Sequence, residues 1–297
     1  MIWLGERRGY LTDWVTQCWV RLTGRRVARS TGVWLEGPVG ESRGIGPEFF
    51  ADFAAATQLT VSRARPAGLM GDFGLLSAPD FDPSVVHPRV IDFYTRTSEY
   101  ELDSWAEWTG LFRVFGGILA ALFSRRLQQL NVPLSGLDTS RGVTSEVLQL
   151  RDPRSGALVH TAWVRLLVGS ADVLYAGSYS LAGVPGRTGP CVKVVFPLPN
   201  GNEIVLMRPV AHEDGSLSVV SAGTRFGDPG FYFTVQRGET LWARYVKSLE
   251  ESIRVYAAEE GDVRADDVLT LWGATFLRLH YRLRPRPTVG EGTSMAS

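Results

Sequence analysis

From residue 144 to residue 235 the chain is a succession of strand-like runs broken by turn signals. The runs are TSEVLQL, VHTAWVRLLV, DVLYAGSYSLAGV, CVKVVFPLP, NEIVLMRPV, SLSVVSAG and GFYFTV, and between them stand DPRSG, GSAD, PGRTGP, PNGN, HEDG and FGDPG. Each run is rich in β-branched and aromatic residues, and each break carries the Gly, Pro, Asn or Asp that a tight turn needs. The spacing of the turns suits an antiparallel meander. A further run, FLRLHYRLRPR, alternates strictly. Leu277, Leu279, Tyr281 and Leu283 fall on one side, with Arg278, His280, Arg282 and Arg284 on the other. It reads as a strand with a basic outer face.

Helices are expected around this meander. Leu11, Trp14, Val15, Cys18, Trp19 and Leu22 follow helical spacing and predict an amphipathic helix with its apolar stripe on the core. GVWLE, residues 32–36, reads as a short extended piece. Pro47 and Pro88 each stand where a first helical turn tolerates proline. Residues 62–84, with Pro and Gly throughout, read as loop. A long apolar helix is expected over residues 111–130, and another over 240–258 with Leu241, Trp242, Tyr245, Leu249, Ile253 and Tyr256 as its stripe. Residues 99–108 read as a strand. The expected class is therefore α+β, a curved antiparallel β-meander packed on long helices. Residues 1–98 form a helical and loop-rich cover, residues 99–286 the meander domain, and residues 287–297 a polar tail.

Composition excludes several function classes. Lys+Arg and Asp+Glu balance at 31 each, so no global field draws nucleic acid, and none is expected as a partner. The two cysteines, Cys18 and Cys191, sit among apolar neighbours and make no disulfide framework. No Cys/His cluster has metal spacing, so no metal and no cofactor is expected. VFGGILAALF, residues 114–123, is too short to span a bilayer, which takes about 20 apolar residues. With no secretory h-region at the start, the expected location is cytoplasmic.

Few motifs carry chemistry. Gly40-Glu41-Ser42-Arg43-Gly44 has the G-x-S-x-G pattern, but the next helix opens only at Pro47 and no α/β order follows, so Ser42 is a weak nucleophile candidate. Arg43, Gly44 and Gly46 could hold an anion at that helix start, although backbone geometry is the simpler reason for the glycines. His160 is a weak acid/base candidate on a strand. His212-Glu213-Asp214 reads as a solvated turn. The other face of the His160 strand carries Trp163 and Arg165, and the next strand carries Tyr175, Gly177 and Tyr179 on one face. If both faces point inward, Trp163, Arg165, Tyr175 and Tyr179 make a cavity wall with hydrogen-bond donors. Arg225, in the turn before GFYFTV, is a further ligand-binding candidate.

The order of elements over residues 99–258 resembles the helix-grip proteins, the lipid-transfer and polyketide-cyclase-like group, and the curved meander is also lipocalin-like. That resemblance implies an apolar pocket between sheet and helix. The stretches GESRGIGPEFF, FSRRLQQLNVPLS and FPLPNG resemble an uncharacterised family of actinobacterial proteins, which implies no activity. The expected function is binding of an apolar or aromatic small molecule or lipid, extending to cofactor-free cyclase or isomerase chemistry by enclosure. The alternative is a membrane-surface or protein-interaction module using the Trp/Arg helix at residues 11–22. A serine hydrolase using Ser42 comes last.

Overall fold

The computed structural model describes residues 11–40, 45–110, 142–168 and 173–286. The expected helix over 111–130 and the residues Ser42, Arg43 and Gly44 lie outside them. Among the described residues fourteen strands form one connected antiparallel sheet system. In chain order they are β1 (Arg25–Ala28), β2 (Thr60–Ser62), β3 (Tyr100–Trp108), β4 (Val143–Arg151), β5 (Leu158–Leu167), β6 (Val173–Gly183) and β7 (Pro190–Leu198). There follow β8 (Gly201–Ala211), β9 (Leu217–Val220), β10 (Gly230–Arg237), β11 (Thr240–Val246), β12 (Leu249–Ala257), β13 (Val263–Leu271) and β14 (Ala274–Pro285). The described α-helices are short: α1 (Leu11–Thr23), α2 (Phe49–Ala56) and α3 (Pro88–Thr95).

Strand β8 organises the architecture. Its first half pairs with β7 on one side and β10 on the other, while its second half pairs with β9. One sheet therefore runs β2-β4-β5-β6-β7-β8-β10-β11-β1, and the other runs β8-β9-β12-β13-β14-β3. A strand that changes partners in this way turns a corner and lets two sheets enclose a common interior. The inner faces meet in one apolar cluster that includes Val147, Trp163, Val194, Val205, Val255 and Leu283.

The helices cover and flank this interior. Phe49, Phe50 and Ala54 of α2 lie on the outer face of β4–β6, against Leu148, Leu150, Ala162 and Val164. Trp34 and Leu35 lie on the outer face of β7, β8, β10 and β11. The Gln17 side chain of α1 donates to the Pro199 carbonyl at 3.1 Å, beside the start of β8. His87, which caps α3, donates its backbone N–H to the Gly215 carbonyl at 2.9 Å, beyond the end of β8. The two helices thus flank opposite ends of the inter-sheet space. From α3, Phe93 and Tyr94 enter the cluster.

This structure corrects the α+β expectation. The meander is present, but it packs on no long helix among the described residues; the core lies between sheets. The helix expected at 240–258 is instead two strands, β11 and β12, which pair in different sheets. Its apolar residues do fall at helical spacing. The β-branched Val246, Ile253 and Val255 favour strand, and pairing with β9, β10 and β13 outweighs the local pattern. β13, to which the sequence assigned no element, lies beside β12. GVWLE is a 3-10 turn over Val33–Leu35 rather than an extended piece.

α1 also corrects its expectation. The helix forms, but Asp13, Gln17 and Val20 are its buried residues, while Val15, Trp19 and Leu22 are exposed. The expected apolar stripe is only partly covered: Trp14 and Cys18 are half-buried, and Trp19 packs edge-on against Phe233. Leu22 alone is 84% exposed.

Candidate functional site

The two sheets enclose a cavity of about 690 Å³. Pockets of about 300–1,000 Å³ hold drug-sized ligands. The wall is mostly apolar, with Val194, Phe196, Val205, Met207, Phe231 and Ile253 among its residues. Val15, Trp19 and Trp105 line the cavity and are also exposed, so it opens beside α1 and β3.

Four residues singled out in the sequence meet on this wall. Trp163 and Arg165 point inward from β5, Tyr175 and Tyr179 from β6. The register sets Arg165 opposite Tyr175 and Trp163 opposite Gly177. A Cβ on Gly177 would meet the Tyr175 ring at 2.9 Å, so glycine is what lets that ring lie across the strand. The Tyr175 and Tyr179 hydroxyls are 2.6 Å apart, and the Trp163 indole N–H donates to Ser145 Oγ at 2.8 Å.

Arg165 is the central charge. Its guanidinium carbon stands 4.0 Å from the Tyr175 ring centre, 4.4 Å from that of Trp163 and 5.4 Å from that of Tyr281. Such ring faces stabilise a desolvated cation. It also donates a hydrogen bond to the Tyr281 hydroxyl, while its Nε has no partner. Three carboxyl groups line the same cavity: Glu203 of β8, Glu251 of β12 and Asp267 of β13. Burial pushes the Glu203 carboxyl up to about 8, with added repulsion from Glu251. Burial likewise raises Glu251, to about 7, against the attraction of Arg165. Asp267 is raised by burial first and by Glu251 second, with Arg165 opposing. Glu203 and Glu251 keep part of their surface on the cavity, whereas Asp267 is nearly fully buried and its Oδ1 has no hydrogen-bond partner. Chemically, the site offers one fixed cation, carboxyls poised to hold or release protons near neutrality, and an apolar body.

The remaining candidates lie elsewhere. His160 faces outward, edge-on to Phe53 of α2, with Ser178 Oγ 3.4 Å from Nδ1. Burial, and then the nearby Lys193, hold its imidazole below the usual histidine range. Lys193 is on that outer face too, donating to the Glu36 carbonyl. Arg225 is an exposed turn residue 3.6 Å from Asp228 and does not line the cavity. Gly46 has φ +71°, the left-handed backbone that glycine serves. His212 contacts Ser218 Oγ at 2.8 Å within the β8–β9 turn. No group of His, Cys, Asp and Glu among the described residues could hold a metal ion. The basic face of β14 is met by acids on both neighbouring strands. Arg282 pairs with Asp262 at 2.5 Å, His280 with Asp266 at 2.7 Å and Arg284 with Asp103 at 2.7 Å.

Sequence reasoning missed Glu203, Glu251 and Asp267, and gave Tyr281 a strand face but no site role. The signal available was a single acid at an inward position of an otherwise apolar alternation, as in Val263, Ala265, Asp267 and Leu269.

No family model and no solved structure matches the chain. It is 26% identical over 242 residues to the uncharacterized membrane protein YndJ of Bacillus subtilis (strain 168). The alignment covers 81% of this chain and 41% of that protein, so the chain spans well under half of its relative's length. The relative's name stands against the expectation of a cytoplasmic protein. Among the described residues no helix is long and apolar enough to cross a membrane.

Proposed function

We propose that this protein binds an apolar or aromatic small molecule with a polar end in the cavity between its sheets. The observation that carries the reading is Arg165, buried in an apolar cavity of about 690 Å³ and held there by three aromatic rings. Burying a guanidinium is costly unless something compensates it. A fold that only needed a core would fill this space with aliphatic side chains. The same groups would serve a cofactor-free isomerase or cyclase, where orientation and proton transfer suffice.

Native mass spectrometry of the purified protein, followed by solvent extraction, tests this reading. The expected result is a stoichiometric apolar adduct, or uptake of one from a mixed lipid and aromatic library. Trp163→Ala is expected to weaken that uptake about tenfold or more, because it removes the ring that faces Arg165, Tyr175 and Tyr179. A bare mass under all conditions sinks the reading.

A second reading is favoured by α1. Val15, Trp19 and Leu22 form an exposed apolar face at the cavity mouth, with Arg25 and Arg26 exposed just beyond the helix. Trp and Leu on an exposed helix face with Arg just beyond it suit a bilayer interface, and the relative is named a membrane protein. This surface would bring the mouth to the source of an apolar ligand. Anionic vesicles are expected to pellet the protein at low salt. The triple exchange of Val15, Trp19 and Leu22 to serine should cut the bound fraction severalfold. Unchanged pelleting would remove α1 from this role.

A further inference from the structure

The charged groups of the cavity are unevenly matched, and the mismatch bears on the ligand. This inference rests on the reading of the cavity as a ligand site. Arg165 is the one cationic side chain among the described residues that line it, against Asp13, Glu203, Glu251 and Asp267. Asp13, on α1, has an interaction of its own. That leaves three carboxyls facing one guanidinium. Arg165 is already engaged by the rings of Trp163 and Tyr175, by the Tyr281 hydroxyl and by its attraction to Glu251 and Asp267. One guanidinium neutralises one carboxylate.

Once these carboxyls ionise, above neutrality, the surplus is acidic. Glu203 stands on β8 opposite Phe196 and Phe233, and the charge that acts on it is Glu251, which repels it. Asp267, only 4% exposed, lines the cavity with an oxygen that accepts nothing. An orphaned buried acceptor costs free energy, which a donor that reached it by a small shift of the side chain would recover.

We propose that the ligand is a cationic amphiphile, an alkyl or aromatic body carrying an ammonium group that pairs with Glu203, Glu251 and Asp267. An ammonium brings three donors and a charge to groups that lack both. The aromatic rings around the cavity, Phe196, Phe231 and Trp163 among them, offer it further π faces. A carboxylate or phosphate head would meet one occupied guanidinium and three acids. The other titratable groups facing these carboxyls are the hydroxyls of Tyr94, Tyr175, Tyr179 and Tyr281, all held neutral by burial. The balance on the head group is therefore set by the acids and Arg165.

Three probes of one chain length test the proposal: dodecylamine, dodecanol and dodecanoate, each displacing a fluorescent apolar dye from the full chain below its micelle concentration. An alkylammonium stays charged up to about pH 10, as lysine does. Near pH 9 the amine is expected to bind about tenfold or more tighter than the carboxylate, with the alcohol between. That gap should narrow near pH 6, where Glu203 and Glu251 hold their protons. Glu203→Gln and, separately, Asp267→Asn should each weaken the amine severalfold and leave the alcohol unchanged. Dodecanoate binding as tightly as dodecylamine overturns the proposal while the cavity reading stands. So does an amine no better than the alcohol in the unmutated protein. If none of the three binds, the cavity reading fails and this inference fails with it.

Discussion

Replacing Arg165 by methionine is expected to cost the fold about 3–5 kcal/mol near pH 9 and much less near pH 5. The exchange keeps an apolar stem of similar reach and removes the charge. Near pH 9 Glu251 is ionised, and Arg165 favours the charged forms of Glu251 and Asp267 against their desolvation. Without the guanidinium they must either stay charged and uncompensated or take up protons against the bulk pH. Each pKa unit of that uptake costs about 1.4 kcal/mol.

Near pH 5 the balance differs. Glu251, raised to about 7, already holds its proton, and burial pushes Asp267 in the same direction. Little then depends on Arg165 beyond its ring contacts and the Tyr281 hydrogen bond, and removing it also relieves the cost of burying a cation. Chemical denaturation of both proteins across this pH range is the measurement. The diagnostic feature is a stability difference that grows as pH rises through the folded-state values. A loss of the same size at every pH would mean that Arg165 acts through packing alone and that the carboxyls do not sense it.

The legible and illegible parts of this structure differ for a physical reason. β4 to β10 were readable because turn residues separate runs of β-branched and aromatic side chains, and neither signal depends on distant contacts. The Trp163, Arg165, Tyr175 and Tyr179 wall was readable as a face, since alternation assigns sides without knowing what lies behind them. β12 was not readable. Its inward positions are Leu249, Glu251, Ile253 and Val255, and the acid breaks the alternation that would have marked a strand. Tyr256, which falls outside that inward set, completes a false helical stripe. β13 fails in the same way at Asp267, whereas the run that became β8 was readable although Glu203 sits in it, because turn residues bound it on both sides. The residues that hid these two strands are two of the three carboxyls of the cavity, Glu251 and Asp267. Local patterning and fold disagree where a site demands a residue that the core would not choose. α1 shows the converse. Its apolar stripe was legible, but a stripe does not say whether it meets a core or leaves the protein.

Glu203→Gln is expected to stabilise the protein near pH 9 by about 2–4 kcal/mol and to leave it unchanged near pH 4.5. The sign follows from the direction of the shift. The Glu203 carboxyl is raised by burial, and by repulsion from Glu251, to about 8 from an unfolded value near 4.5. Below the unfolded value both states hold the proton, and its contribution to stability is complete. As pH rises toward the folded value the unfolded chain releases the proton first, so stability falls across that window and levels off above it. Glutamine has nearly the same shape and no proton to lose, so the variant should escape the fall. Thermal or urea midpoints on both proteins across that range decide the matter. Parallel curves would place the folded-state carboxyl near its ordinary value and open the β8 end of the cavity to bulk water. Diverging curves would show a buried acid kept at a cost to stability, at a position where the neutral amide holds the fold better. Such a trade is expected of a group retained for what it binds. The variant that gains stability should therefore also be the one that loses the preference for an ammonium head.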